Sequence, residues 1–194
     1  NKGGPFSRSE HRPESTGEGA VLDRLSIELT NRCGKGCWFC YNSSNPAGET
    51  AWTPDELVAF VEDCAANGLK AVSFGGGEPL EYPQVFEVLR RLRGTLFRSL
   101  TTNGLRLSPS VERQLLEAAP EKVHVSIHFP ERLPEVERVI RQVTQLAQAG
   151  IRSGVNLLVM HGNLEAATQA AAAAATPPPP RKWRVWPATS LSSP

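Results

Sequence analysis

The chain has 194 residues, of which 40% are hydrophobic, and its formal net charge at pH 7 is +1. This length suits one ordinary hydrophobic core, and a charge so close to neutral gives no reason to expect nucleic acid or an anionic membrane as a partner. No apolar stretch approaches the length of a membrane span, and the polar residues 1–20 lack the apolar core of a signal peptide. We therefore expect a cytoplasmic location and no membrane association.

Residues 1–22 are rich in Gly, Ser, Glu, Arg and Pro and are predicted to be a flexible N-terminal segment. From residue 23 to residue 170, strand-like and helix-like segments alternate, which predicts parallel βαβ units with right-handed crossovers. The predicted strands cover residues 25–30, 71–74, 97–102, 123–129 and 155–160. Because a complete eight-unit barrel needs about 250 residues, the predicted fold class is α/β, a partial TIM-like (βα) barrel of about five to six units with parallel strands.

The helices between these strands have readable start and stop signals. Residues 53–56, Thr-Pro-Asp-Glu, combine an N-cap, a proline in the first turn and a capping-box glutamate. Ser108 followed by Pro109 repeats the cap-and-proline arrangement. Three glycines are placed to stop helices: Gly68, Gly94 and Gly150.

The composition changes after residue 170, and residues 171–194 are predicted to be a low-complexity Ala/Pro tail or an unfinished barrel end. The alanine run at residues 170–175 can extend a helix, but the prolines at 177–180 forbid one. Residues 181–186, Arg-Lys-Trp-Arg-Val-Trp, mix basic and aromatic side chains. A sixth edge strand or a frayed tail explains this segment better than a nucleic-acid contact.

Polar residues alternate with apolar ones in the fourth predicted strand, where His124, Ser126 and His128 share a face. A parallel sheet covered by helices on both sides would have two apolar faces, so the polar face predicts a cleft. Asn156 is likewise the polar residue in the apolar run of the fifth strand. Ligands of parallel α/β folds bind at the carboxyl ends of strands. Four segments follow such ends and predict one shared mouth: Cys33, residues 76–79, Thr102 with Asn103, and His128.

Cys33, Cys37 and Cys40 are crowded into the sequence CGKGCWFC, just after the first predicted strand. Three thiolates can hold an iron–sulfur cluster but leave one iron open to a ligand that is not protein. A zinc site or three loose thiols are the alternatives, and His11 or His128 could complete a zinc site. Cys64, at helical spacing with apolar residues, is predicted to be a core thiol.

Residues 75–79, Gly-Gly-Gly-Glu-Pro, follow the second predicted strand. Glycines at 76 and 77 allow the backbone to approach a ligand closely. The exposed carbonyls and the Glu78 carboxylate are acceptors that suit an ammonium group. The alternative is an ordinary strand–helix turn flanked by an acid.

The cysteine spacing and the GGGEP segment together resemble the radical S-adenosylmethionine (radical SAM) enzymes, closest to the molybdopterin-biosynthesis and peptide-modifying branches. This resemblance implies a 4Fe–4S cluster on the three cysteines, with the fourth iron chelated by the amino and carboxylate groups of S-adenosylmethionine. It also implies that Phe39 packs against the adenine and that the backbone of Tyr41 contacts it. The other cofactor-binding positions that the resemblance implies are Gly76, Gly77, Glu78, Pro79, Thr102, Asn103, Ser126 and Asn156.

The family resemblance implies an enzyme that takes an electron from a flavodoxin- or ferredoxin-type donor and cleaves S-adenosylmethionine to a 5′-deoxyadenosyl radical. That radical would abstract hydrogen from a peptide or small-molecule substrate, while the protein orients the cofactors and excludes water. An activase of a glycyl-radical enzyme is the alternative within the family. A non-catalytic iron–sulfur or zinc protein is the alternative outside it.

Overall fold

The computed structural model describes residues 22–50 and 52–175. The strands are β1 (Arg24–Glu28), β2 (Ala71–Gly75), β3 (Phe97–Thr102), β4 (Lys122–Ile127) and β5 (Ser153–Leu157). The helices are α1 (Pro54–Ala66), α2 (Val85–Arg91), α3 (Pro109–Ala118), α4 (Leu133–Gln148) and α5 (Leu164–Ala175). Short 3₁₀ turns at Pro79–Glu81 and His161–Asn163 precede α2 and α5.

The five strands form one sheet in the order β1-β2-β3-β4-β5, and every neighbouring pair is parallel. Each strand is followed by a helix, which confirms the predicted partial (βα) barrel. Because the strands are added in sequential order and such crossovers share one hand, the helices cover the same face of the sheet. We call this the helix face, and the opposite face, which carries Ser26, Ser73, Thr101, His124 and Ser126, the open face.

The predicted helix signals are confirmed. Thr53 and Glu56 form a reciprocal capping box, with the Thr53 N–H donating to Glu56 Oε2 over 3.0 Å and the Glu56 N–H donating to Thr53 Oγ1 over 3.3 Å. Ser108 caps α3 by accepting from the Val111 N–H. The three predicted stop glycines all have positive φ, which costs a residue without a Cβ little.

The bounds of the fifth strand differ from the prediction of 155–160, since β5 begins at Ser153 and ends at Leu157. The apolar run continues beyond the strand, but only the Leu158 N–H still reaches β4, donating to the Ile127 carbonyl over 3.0 Å. The chain then turns into the 3₁₀ segment, so apolarity alone overestimated the length of the strand at this end.

The hydrophobic core lies between the sheet and its helices. Its fully buried members include Leu57, Val61, Val72, Phe74, Leu89, Leu100, Leu115, Val123, Val125 and Val139. One charged side chain also lies there: Arg98, on the helix face of β3, is 1% exposed. Its guanidinium donates to Glu121 over 2.8 Å and to the carbonyls of Leu89, Ala118 and Ala119, so it joins β3 to the ends of α2 and α3.

Several predictions fall on residues that the structure does not describe. The N-terminal segment up to residue 21, the prolines at 177–180 and the aromatic–basic segment 181–186 lie outside the described residues. The alanine run forms the end of α5, as predicted, and the boundary expected after residue 170 therefore falls inside that helix. No helix within 22–50 and 52–175 combines the length and the apolarity needed to cross a bilayer.

Candidate functional site

A cavity of about 500 Å³ opens at the carboxyl end of the sheet, on the open face. We call it the cysteine cavity. Its walls come from the loop after β1 (residues 29–50, the cysteine loop), the glycine segment 75–79, the turn after β3 and the end of β4. Ten of the thirteen predicted cofactor-binding and cluster-binding residues line it: Cys33, Cys37, Phe39, Cys40, Tyr41, Gly76, Gly77, Thr102, Asn103 and Ser126.

The cysteine loop is held in shape by its own backbone. The Cys33 N–H donates to the Asn45 carbonyl over 3.0 Å, and the Asn45 N–H donates back to the Asn31 carbonyl over 3.1 Å. A tight turn brings the Cys40 N–H to the Cys37 carbonyl at 3.1 Å. Cys33 is buried, the other two cysteines are half-buried, and none of the three is in a disulfide. Three free thiols therefore face one cavity from a single ordered loop.

The thiols of Cys37 and Cys40 have different environments. Burial raises the pKa of the Cys37 thiol, against the attraction of the Lys35 ammonium. Burial also opposes ionisation of Cys40, but backbone N–H groups of Ser44 and Asn42 donate to its sulfur and leave its pKa below the usual value. Hydrogen bonds to a charged form favour that form, so the loop stabilises a thiolate at Cys40.

Gly76 and Gly77 bring the glycine segment against the cysteine loop. The Gly77 N–H donates to the Thr30 carbonyl over 2.6 Å, and the Glu78 N–H donates to the Arg32 carbonyl over 2.8 Å. A Cβ on Gly76 would lie 2.7 Å from the Thr30 carbonyl oxygen, and one on Gly77 would lie even closer to that of Arg32. Both positions therefore exclude any side chain, and Gly76 also has a φ of 93°.

The Glu78 carboxylate has a different role from the one expected. Its Oε1 accepts from the Thr102 hydroxyl over 2.6 Å and from the Leu80 N–H over 3.1 Å, and its Oε2 accepts from the Asn103 N–H over 2.8 Å. The residue is fully buried, and burial raises the pKa of its carboxyl group. The side chain is thus turned into the protein, where it ties the glycine segment to the end of β3, instead of facing the cavity.

Asn103, whose N–H is bound by Glu78, also contacts the first cysteine. Its Nδ2 lies 3.6 Å from Cys33 Sγ and donates to it. The side chain is held in place by a second bond, from the Leu105 N–H to its Oδ1 over 2.8 Å. Hydrogen bonds to ligand sulfurs are one of the ways in which proteins adjust iron–sulfur clusters. Asn103 therefore links the end of β3 directly to the thiol site.

The other three predicted cofactor-binding residues do not line the cysteine cavity. Glu78 and Pro79 are buried behind it, within the packed turn that starts the 3₁₀ segment. Asn156 pairs in register with Ser126, but its side chain is exposed and lines a neighbouring cavity of the open face. Their positions follow from the direction of the side chains, which the order of residues in the sequence does not determine.

An aromatic group closes one side of the cysteine cavity. The Phe39 ring stacks near the His128 ring, with centroids 6.1 Å apart, and lies 5.5 Å from the ring of Phe129. His128 has a buried Nδ1 without a hydrogen-bond partner among the described residues, and burial, with Lys35 adding to it, lowers the pKa of the imidazole to about 4. A neutral imidazole therefore faces the cavity. His11, the other histidine considered for zinc, lies outside the described residues.

An ion pair that the sequence did not indicate anchors the cysteine loop to α4. Lys35 Nζ lies 2.7 Å from Glu135 Oε1, and the two side chains are only 7% and 11% exposed. The same carboxylate oxygen accepts from the His128 N–H over 2.8 Å. Lys35 stands between two glycines in the loop and its partner is 100 residues away, so no local pattern could have revealed this contact.

Comparison with known proteins supports the assignment suggested by these residues. The model of the Radical SAM superfamily matches residues 27–173. The probable GTP 3′,8-cyclase of Pyrococcus horikoshii is 31% identical over 156 residues, which cover 74% of this chain and 49% of that protein. The AdoMet-dependent heme synthase of Methanosarcina barkeri is 32% identical over 158 residues, covering 75% and 45%. The chain thus spans about half the length of the curated relatives it matches.

Solved structures share the fold. Streptococcus suis SuiB bound to S-adenosylmethionine has a TM-score of 0.64 with 16% identity, over 80% of this chain and 39% of that one. Native anSMEcpe with bound AdoMet and Cp18Cys peptide has a TM-score of 0.59 with 17% identity, over 77% and 47%. The cysteine loop, the glycine segment and the family match together show that this chain belongs to the radical SAM superfamily, whose members use a 4Fe–4S cluster and S-adenosylmethionine.

Proposed function

We propose that this protein is a radical SAM enzyme that binds a 4Fe–4S cluster through Cys33, Cys37 and Cys40 and S-adenosylmethionine in the cysteine cavity. The observation that carries the proposal is that three free cysteines line one cavity together with Gly76 and Gly77. Soft thiolate ligands suit iron–sulfur clusters, and a fourth cysteine, Cys64, lies apart on α1. The donor set and the space beside it therefore fit both cofactors.

The residues of the cavity have distinct tasks in this proposal. The three cysteines hold the cluster, and the Asn103 amide donates to the sulfur of Cys33. The backbone of Gly76 and Gly77 forms the wall along which the methionine part would lie. Phe39 and the Tyr41 backbone would contact the adenine, and Ser126 would hold the sugar or the methionine part. Glu78, Pro79 and Asn156 support the site from outside the cavity.

A bound cluster would supply one electron for cleavage of a C–S bond of S-adenosylmethionine, which would release methionine and a 5′-deoxyadenosyl radical able to abstract hydrogen from substrate. The protein contributes binding, orientation and protection from water. The electron would come from a flavodoxin- or ferredoxin-type donor. A peptide or a small molecule is the proposed substrate class, in keeping with relatives named GTP 3′,8-cyclase and with SuiB, which has been solved with a precursor peptide. We propose residues 23–170 as the core that carries this chemistry, flanked by 1–22 and 171–194.

Anaerobic reconstitution with iron and sulfide, followed by S-adenosylmethionine and dithionite, tests the proposal. We expect about four irons per chain, a paramagnetic signal that changes when the sulfonium compound is added, and formation of 5′-deoxyadenosine. Cys40→Ala should lose the cluster, whereas Cys64→Ala should keep it, since Cys64 is remote on α1.

Three results would contradict the proposal. Full iron content in Cys40→Ala would refute the ligand set. Zinc in place of iron would favour the zinc protein, and an intact cluster that produces no 5′-deoxyadenosine would favour a non-catalytic iron–sulfur protein.

A further inference from the structure

A second cavity, of about 720 Å³, lies on the open face toward the amino ends of the strands. Ser73 and Thr101 line both this cavity and the cysteine cavity, so the two are adjacent. Arg24, Lys122 and Arg152 also line it, and no acidic residue does so among the described residues. We call it the basic cavity.

The topology of the sheet brings the three cations together. Arg24 is the first residue of β1, Lys122 is the first of β4, and Arg152 directly precedes β5. Because the strands are parallel, their amino ends meet at one edge. The Val123 N–H donates to the Arg152 carbonyl over 2.9 Å. Lys122 and Arg152 therefore lie near each other at the start of the paired strands β4 and β5.

Some cations of the described residues are paired with carboxylates, but the three that line the basic cavity are not. Lys35, Lys70 and Arg98, for example, each contact a carboxylate within 2.8 Å. In contrast, no carboxylate lies within ion-pair distance of the three cations that line the basic cavity, within residues 22–50 and 52–175. The basic cavity therefore concentrates positive charge that the described part of the protein does not neutralise.

His124 lies between the cations of the basic cavity. It lines the same cavity, and its Nδ1 is buried without a hydrogen-bond partner within the described residues. Burial lowers the pKa of its imidazole, and the charges of Lys122 and Arg24 lower it further, so both cations act on this ring.

We propose that the basic cavity binds the phosphate groups of a phosphorylated small-molecule substrate whose other end reaches the cysteine cavity. This rests on the proposed function, because it names the substrate class of the same open face. From Arg24 to Glu28 the strand rises about 13 Å, a distance that a small molecule with a phosphate chain can span. Two guanidinium groups and an ammonium match several phosphate oxygens, which carry more charge than a single carboxylate.

Calorimetric titration of the reconstituted full chain with inorganic tripolyphosphate tests this inference. We expect binding of one tripolyphosphate per chain. Lys122→Gln and Arg24→Gln should each weaken that binding by roughly tenfold or more, as expected for the loss of a hydrogen bond to a charged group. Lys70→Gln is the matched control, because Lys70 also lies at the amino end of a strand but is paired with Asp23 at 2.7 Å. The affinity of this variant for tripolyphosphate should be unchanged.

Absence of binding would overturn the inference, as would equal weakening by all three substitutions. Binding of hexaglutamate that depends on Lys122, without binding of tripolyphosphate, would also overturn it and would indicate an acidic peptide. Calorimetry does not require radical formation. A failure to bind tripolyphosphate is thus distinguishable from a failure to form 5′-deoxyadenosine, which would contradict the proposed function instead.

Discussion

The two faces of the sheet are built from the same five strands but have opposite environments. On the helix face, Val72, Phe74 and Leu100 are fully buried against helices. On the open face, their chain neighbours Ser73 and Thr101 line cavities. Because side chains alternate along a strand, each strand can stabilise the fold on one side and present ligand-binding groups on the other. Alternate residues of the same strand therefore contribute to the core and to the cavities.

Polar groups on the two faces differ in whether other protein groups form hydrogen bonds with them. Arg98 on the helix face has its guanidinium bonded to Glu121 and to three carbonyls. On the open-face side, His124 and His128 each keep a buried Nδ1 without a partner among the described residues. A satisfied buried group contributes to stability, whereas an unsatisfied one is costly unless a ligand completes it. The comparison predicts that substitutions on the helix face cost stability and those on the open face cost binding.

The largest expected effect is that of Arg98→Ala. It would leave three carbonyls without their donor, and each buried acceptor left without a partner costs about 1–3 kcal/mol, so a total loss of about 3–5 kcal/mol is expected. The Glu121 carboxylate adds less, because its side chain is 34% exposed and stays partly hydrated. The measurement is the free energy of unfolding in urea. Arg113→Ala, at an exposed position on α3, is the control and should change that free energy by less than about 0.5 kcal/mol. A loss of less than about 1 kcal/mol in the free energy of unfolding of Arg98→Ala would contradict the proposed difference between the helix face and the open face.

Leu100→Ala and Thr101→Ala compare the two faces directly, at adjacent positions of β3. Leu100 is fully buried, and its truncation should cost about 2–5 kcal/mol through lost burial and a residual cavity. Thr101 faces the open side, so its truncation should cost less than about 0.5 kcal/mol. Equal losses in the free energy of unfolding would show that the open face is as important to the fold as the helix face.

Glu78→Gln should have an intermediate effect, because Glu78 connects the two regions. The carboxylate accepts from two backbone N–H groups and a hydroxyl, and an amide has only one acceptor oxygen for donors on both sides. A buried N–H left without an acceptor costs about 1–3 kcal/mol. Glu137→Gln, at an exposed position on α4, is the control for thermal or urea unfolding. If both variants unfold alike, the buried carboxylate does not tie the glycine segment to β3.

The faces, the helix caps and the order of elements could be predicted from the sequence because each depends on local patterns. Alternation in residues 123–129 gave the open face, and the capping box at Thr53 marked α1 correctly. The pairs Lys35–Glu135 and Arg98–Glu121 join residues far apart in the chain, so no local pattern indicates them.

The candidate site was predictable to the extent that it lies in short motifs. The cysteines and the glycines fall in one cavity, as expected from their places after strand ends. The inward turn of the Glu78 carboxylate and the position of Asn156 outside that cavity depend on side-chain direction and on the exposure of the edge strand. These features follow from the packed structure and not from residue spacing.

A small effect on stability, and the most specific effect on the site, is expected for Asn103→Ala. The substitution removes the donor to Cys33 Sγ and the acceptor for the Leu105 N–H, which together should cost about 1 kcal/mol. Since a hydrogen bond to a ligand sulfur favours the more negative, reduced cluster, its loss should make the reduction potential of the reconstituted cluster more negative. A spectroscopic redox titration of the reconstituted protein measures this potential. Thr101→Ala, which leaves the contact with Cys33 in place, should shift it less. An unchanged reduction potential in Asn103→Ala would show that the end of β3 does not influence the cluster. The hydrogen bonds that join Glu78, Asn103 and Cys33 would then contribute to stability alone.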